Sequence, residues 1–214
     1  MSKNSCVIYA PVDTLSGYGA RSRDTVKSII ELKKDEWDIK IISCPWGNTP
    51  TGFINENPEW NFLSQYITSP QLNAQPDIMI WITVPNEFQK VGKYNIGITA
   101  GLEINIVPAD WVEGVNKMDL VLVSSEHSKK AFLESKFQRV NDKTKQVEGT
   151  VEVKVPIEVI FEGIDTNIYK HLDKPNVKVG SLDQIPEDFC YLFVGHWLPG
   201  DLGEDRKNVG LLIK

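Results

Sequence analysis

Five short stretches carry residues able to do chemistry. The first is Ser16-Gly17-Tyr18-Gly19, which lies between an apolar run and an amphipathic one. Glycine lets a backbone approach a ligand closely, and a helix starting behind it offers free N–H groups to an anion. Gly17 and Gly19 are therefore candidate phosphate-binding residues and Tyr18 a candidate cleft residue. The plainer reading is a tight strand-to-helix turn that needs glycine for its φ angles. No third glycine completes a dinucleotide fingerprint. Arg21 and Arg23 follow, able to meet phosphate or carboxylate, or to stay solvated on a helix face.

The second stretch, Gly97-Ile98-Thr99-Ala100-Gly101-Leu102-Glu103, falls at the carboxyl end of an expected strand, where open α/β sheets bind ligands. Glu103 is a candidate catalytic or acceptor-contacting carboxylate there, or a loop glutamate facing water. The third is Ser124-Ser125-Glu126-His127-Ser128. Its serines suit helix N-capping, with Ser125 also a candidate cleft residue. His127, in a first helical turn, is disfavoured as imidazolium and could orient a hydroxyl, or it is a surface histidine. In the fourth, Phe161-Glu162-Gly163-Ile164-Asp165-Thr166, glycine permits a sharp turn. Asp165 can bond nearby backbone or line a cleft. The fifth joins Gly195-His196 to Arg206-Lys207-Asn208. A strand end, a loop and a basic pair at a helix start could clamp a diphosphate, with His196 lining the cleft. An exposed basic patch is the alternative.

The elements that must position these residues alternate. Cys6–Tyr9, Asp38–Ile42, Ile78–Ile82, Asn95–Thr99, Leu120–Val123, Ile157–Phe161 and Tyr191–Val194 are rich in Val and Ile and nearly unbroken in hydrophobicity. Strands buried on both faces of a parallel sheet read this way. Between them, Ala20–Lys34, Pro108–Asn116 and Ser125–Lys136 carry helical patterns. The alternation predicts a Rossmann-like, doubly wound α/β domain. Pro45–Gln75 reads as a long surface excursion with one short helix at most. Gln138–Gly149 reads as a hairpin tip or mobile loop before the strand-like Val151–Val155. A polar stretch with Pro175, Gly180 and Pro186 suggests a linker. The expected organisation is a domain over 1–172, a linker over 173–188, and over 189–214 the incomplete start of a second α/β lobe.

The net charge of −6 argues against a general nucleic-acid binder. No apolar run is long enough for a transmembrane helix. The apolar stretch at the N-terminus is too short for a signal peptide and suits a first strand. Cys6, Cys44 and Cys190 are far apart and lack ligand spacing. They are expected as buried free thiols in a reducing, cytoplasmic setting, with no metal site.

The order of these pieces resembles retaining glycosyltransferases of the GT-B fold, the family of glycogen synthase-like and mannosyltransferase-like enzymes. Four segments carry the likeness: Gly17-Tyr18-Gly19 with its helix, Asp119–Phe132, Pro156–Tyr169, and Phe193-Val194-Gly195 followed by Arg206-Lys207-Asn208. Glu103, Pro108 and Trp111 are similar to a subgroup with that spacing. The resemblance implies an acceptor-side lobe, cut off just after the donor-side lobe begins. It implies a nucleotide-sugar donor as co-substrate with no bound cofactor, and a glycan, lipid or protein as acceptor. Arg206 and Lys207 would hold the donor diphosphate, and the glycine loop would approach it or the acceptor. Stabilising the leaving diphosphate would then be the largest catalytic effect. His196 stands where many members have arginine, and the loop Trp197–Asp205 is longer than theirs. The expected donor-lobe glutamates and base pocket are missing, so these residues alone would turn over little. The competing readings are a non-catalytic sugar- or nucleotide-binding α/β module, and a periplasmic-binding-like or flavodoxin-like domain.

Overall fold

A computed structural model describes residues 3–141, 143–171, 184–187, 189–194, 201–204 and 209–213. The chain divides into two compact units, Met1–Gly163 and Ile164–Lys214.

The first unit is a parallel sheet of six strands: β1 (Asn4–Ala10), β2 (Trp37–Ser43), β3 (Ile78–Ile82), β4 (Tyr94–Thr99), β5 (Leu120–Val123) and β8 (Ile157–Val159), in the order β2-β1-β3-β4-β5-β8. All five pairings are parallel. Ile67 adds a single parallel bridge to Ile41, on the free edge of β2. Counting that bridge as a vestigial strand makes the order 3-2-1-4-5-6-7, which begins as dinucleotide-binding α/β sheets do. Either way, the order reverses between β1 and β3.

Strand periodicity explains the layers. Side chains alternate across the sheet, so each strand supplies both faces. Cys6, Ile8, Ile39, Ile41, Ile80, Ile82 and Ile98 face one core, which α1 (Gly17–Lys33) covers with Val26 and Ile30. Val7, Met79, Trp81, Val121, Val123 and Ile157 face the other, beneath Trp111, Val112 and Val115 of α3 (Ala109–Val115) and Phe132 of α4 (Glu126–Glu134). The unit is thus α/β and wound on both faces.

One expectation changes and one is narrowed. Pro45–Gln75 is no loose excursion. It forms α2 (Phe53–Glu56) and a 3₁₀ helix (Pro58–Tyr66). Their Ile54 and Leu63 are buried in the α1-side core, so apolar residues spaced too sparsely for a pattern still seat the segment. Of the two readings for Gln138–Gly149 the structure has the hairpin, with most of the stretch inside β6 (Phe137–Val140) and β7 (Val147–Val151), which pair antiparallel.

In the second unit, α5 (Val209–Ile213) begins where a helical pattern was expected. Tyr191–Val194 does not form the expected strand. Tyr191, Leu192 and Val194 are each more than 80% exposed. Strand-forming side chains without a neighbouring strand gain neither ladder bonds nor burial.

Candidate functional site

The carboxyl edge of the sheet gathers three of the five stretches and, within the first unit, the opening residues of the fourth. Its first loop, Pro11–Ser16, is held from several sides. The Thr14 hydroxyl donates to Pro11 O at 2.9 Å and pairs with the Ser16 hydroxyl at 2.8 Å. The Asp13 carboxylate accepts from the backbone N–H groups of Gly52 and Ile54, at 3.0 and 2.9 Å, and so anchors α2. Arg23, only 4% exposed, donates Nη1 to Val12 O and Thr14 O, both at 2.9 Å. Its guanidinium lies 3.4 Å over the Phe53 ring. Arg23 is neither a phosphate ligand nor a solvated helix residue. It is the internal brace of the loop.

Ser16 caps α1, its hydroxyl accepting from Gly19 N at 2.9 Å. Gly17 and Gly19 differ in role, and neither has a positive φ. The turn therefore does not need glycine for its backbone angles. At Gly19 a Cβ would stand 2.3 Å from Thr14 O, so the glycine admits the close approach of helix and loop. At Gly17 a Cβ would meet nothing within 4 Å. Gly17, exposed at the first position of the helix, is the residue of the pair open to a ligand.

Tyr18 joins this loop to the second stretch. Its hydroxyl accepts from Ala100 N at 3.1 Å and pairs with the Thr99 hydroxyl at 3.0 Å. Its ring stacks on Trp46 at 4.0 Å. Burial, with Glu87 adding to it, raises the Tyr18 pKa against the opposing pull of Thr99, Ala100 and Arg21. Tyr18 is therefore a neutral hydrogen-bonding group at physiological pH.

The backbone of Ala100 also ties in the third stretch, since Ala100 O accepts from the Ser124 and Ser128 hydroxyls, each at 3.1 Å. Gly101, at φ +80, lies where a Cβ would come within 2.5 Å of the Ser128 hydroxyl. Ser125 caps α4, accepting from Ser128 N at 3.1 Å. The serines thus lock two loops together. Glu103 and His127 both reach the carboxyl edge on these loops, and both are exposed.

The fourth stretch is reached by Arg21. Its Nη1 lies 2.7 Å from a Glu162 carboxylate oxygen and its Nη2 donates to Ile160 O at 3.3 Å. In the second unit, Asp165 accepts from Asn167 N at 2.9 Å through its side chain and from Tyr169 N at 2.8 Å through its carbonyl. That is the local turn its residue type allows. His196, Arg206 and Lys207, the fifth stretch, lie outside the described residues.

Residues at this edge that the sequence did not single out include Tyr9, Trp81 and Glu87, beside the buried Cys44. Tyr9 and Trp81, on the neighbouring strands β1 and β3, put their rings 4.6 Å apart. The Tyr9 hydroxyl lies against the Cys44 thiol, whose burial pushes its pKa up to about 11. Alternation in β1 and β3 could have marked Tyr9 and Trp81 as facing one side at the point where the strand order reverses. Cys6 is buried as expected, its pKa pushed to about 12. Cys190 is exposed, contrary to expectation, because Tyr191–Val194 beside it forms no strand to bury it.

A separate surface depression of about 360 Å³ lies between the end of α3 and the β6–β7 hairpin, lined by Glu113, Asn116, Arg139, Glu152 and Lys154 among others. It is near the amino ends of β5 and β8, away from the loops just described. Its lining is an exposed network in which Arg139 pairs with Glu113. Among the described residues, no group of three or more His, Cys, Asp or Glu is arranged to hold a metal, and no helix is long and apolar enough to cross a membrane. Comparison with protein-family models, with curated proteins and with solved structures finds no match to this chain.

Proposed function

We propose that this chain is the acceptor-side lobe of a nucleotide-sugar-dependent hexosyltransferase of the GT-B fold, acting in the cytoplasm on a glycan, lipid or protein acceptor. The observation that carries the reading is the convergence at Ala100. Loops singled out for their chemistry at residues 16–19, 97–103 and 124–128 meet in hydrogen bonds to the backbone of one residue, Ala100, at the carboxyl edge of the sheet. Open α/β sheets bind ligands at that edge.

In this reading the open N-terminus of α1 at Gly17 faces the donor diphosphate, whose negative charge the helix end favours. Arg206 and Lys207, outside the described residues, are assigned to the donor diphosphate by the resemblance alone. Glu103 and His127 serve the acceptor hydroxyl. Development of charge on the departing diphosphate is where preorganised donors act most strongly.

The exposure of Glu103 and His127 favours a second reading, a lobe that binds a sugar or nucleotide without turnover. Release of nucleoside diphosphate separates the two. The natural full-length protein, incubated with a panel of nucleotide sugars and candidate acceptors, should release nucleoside diphosphate from one donor, and Lys207→Ala should raise the KM for that donor. Binding of a donor with no release over hours would leave the module reading; neither binding nor release would remove both.

A further inference from the structure

Where the strand order reverses, between β1 and β3, three strand ends set out a group of unlike polar side chains. Trp81 is 8% exposed, yet its indole Nε1–H has no hydrogen-bond partner. Buried donors are ordinarily satisfied, so an orphan one is a mark of a missing acceptor. Its ring lies against Tyr9, and the Tyr9 hydroxyl lies against Cys44.

Glu87 completes the group. It ends a 3₁₀ turn (Pro85–Glu87) that follows β3. That turn is firmly seated: Pro85 is buried, and Gly114 of α3 admits it so closely that a Cβ there would stand 1.9 Å from Pro85 O. The exposed Glu87 carboxylate is the charge felt in common by Tyr9, Cys44 and Tyr18, and it raises the pKa of each. Arg21 acts on Tyr18 in the opposite sense.

We propose that Trp81, Tyr9 and Glu87 form a subsite for a neutral, hydroxyl-rich ring, that is, a carbohydrate. The chemistry selects it. A carboxylate wants a donor and repels phosphate, while an indole N–H wants an acceptor. A sugar hydroxyl is both, and aromatic faces suit the apolar C–H face of a pyranose. The subsite stands without the transferase reading. Calling its occupant the acceptor rests on that reading.

The indole resonances of the tryptophans (six in the sequence) give the test. The chain, labelled with ¹⁵N, is titrated with the methyl glycosides of glucose, galactose and mannose, with inositol, and with inorganic phosphate. Trp81 is assigned by Trp81→Phe. The Trp81 indole signal should move downfield and saturate with one of the neutral probes, and not with phosphate. Glu87→Gln, at an exposed position, should keep the thermal midpoint and weaken that binding about tenfold or more, the loss expected for a hydrogen bond to a charged group. Tyr9→Phe should weaken it less. An indole signal that no neutral probe moves, one moved equally by phosphate, or affinity unchanged by Glu87→Gln would overturn the subsite. Saturable glycoside binding in a protein that never consumes a nucleotide sugar would uphold the subsite and remove the transferase reading, so the two fail separately.

Discussion

Replacing Gly19 by alanine separates the two glycines of the β1–α1 loop. A helical Gly→Ala change ordinarily stabilises by ~0.5–1 kcal/mol, because it restricts the unfolded chain. At Gly19 the new methyl would lie 2.3 Å from Thr14 O and 2.7 Å from the Thr14 hydroxyl. Thr14 cannot readily withdraw. It is fully buried, and its carbonyl is held at 2.9 Å by Arg23. Overpacking of a held site costs about 1–3 kcal/mol, which outweighs the gain and leaves a net loss of roughly 1–2 kcal/mol. For a chain of this size that corresponds to a fall in Tm of roughly 2–8 °C. Gly17→Ala meets open space, so it should leave Tm unchanged or slightly raised. The assay is thermal unfolding followed by circular dichroism on both variants. If Gly19→Ala melts with or above Gly17→Ala, the close helix–loop contact is not what Gly19 is for.

Further outcomes follow from the same geometry. Arg23→Ala removes two charge-assisted bonds to buried carbonyls, at roughly 1.5 kcal/mol or more each, so urea unfolding should show a loss of about 3 kcal/mol. Tyr18→Phe strips a partner from Ala100 N and from the Thr99 hydroxyl, and should cost ~1–2 kcal/mol in the same assay. At pH 8 a thiol reagent should modify Cys190 quickly and spare Cys6 and Cys44, whose burial keeps them protonated; denaturation should expose all three. Asp77, lowered to about 2 chiefly by Lys93 and then by Ser5, favours the folded state when ionised. Its contribution is present above the unfolded carboxylate pKa and fades as pH falls toward 2. In Asp77→Asn the acid limb of a Tm–pH profile should therefore be shallower.

Much of the fold was legible because strands buried on both faces leave an unbroken apolar record. Ile78–Ile82 and Leu120–Val123 begin and end where their hydrophobicity does. The capping serine Ser125 marked one helix start in the same local way, whereas α1 opens at Gly17 behind its Ser16 cap, earlier than the expected Ala20. What was not legible depends on contacts distant in sequence. The 3₁₀ helix at Pro58–Tyr66 is fixed by Leu63 entering a core built from other strands. Arg23 looks like any helix arginine until Phe53 and the carbonyls of Val12 and Thr14 surround it. Tyr9 lies far in the chain from Trp81 and Glu87 and comes beside Trp81 only because β1 pairs with β3. Tyr191–Val194 differs for the opposite reason, since its composition suits a strand but among the described residues no strand pairs with it.

The central claim is that the carboxyl edge of the sheet is where this chain meets its ligands. Amide shift mapping tests it most directly, with the ¹⁵N-labelled chain titrated with nucleoside diphosphates and methyl glycosides. Saturable shifts are expected at Gly17, Tyr18, Ala100 and Gly101, joined by Trp81 for the glycosides. Shifts confined to the depression around Glu113 and Arg139, with the amides of that edge unmoved, would contradict it.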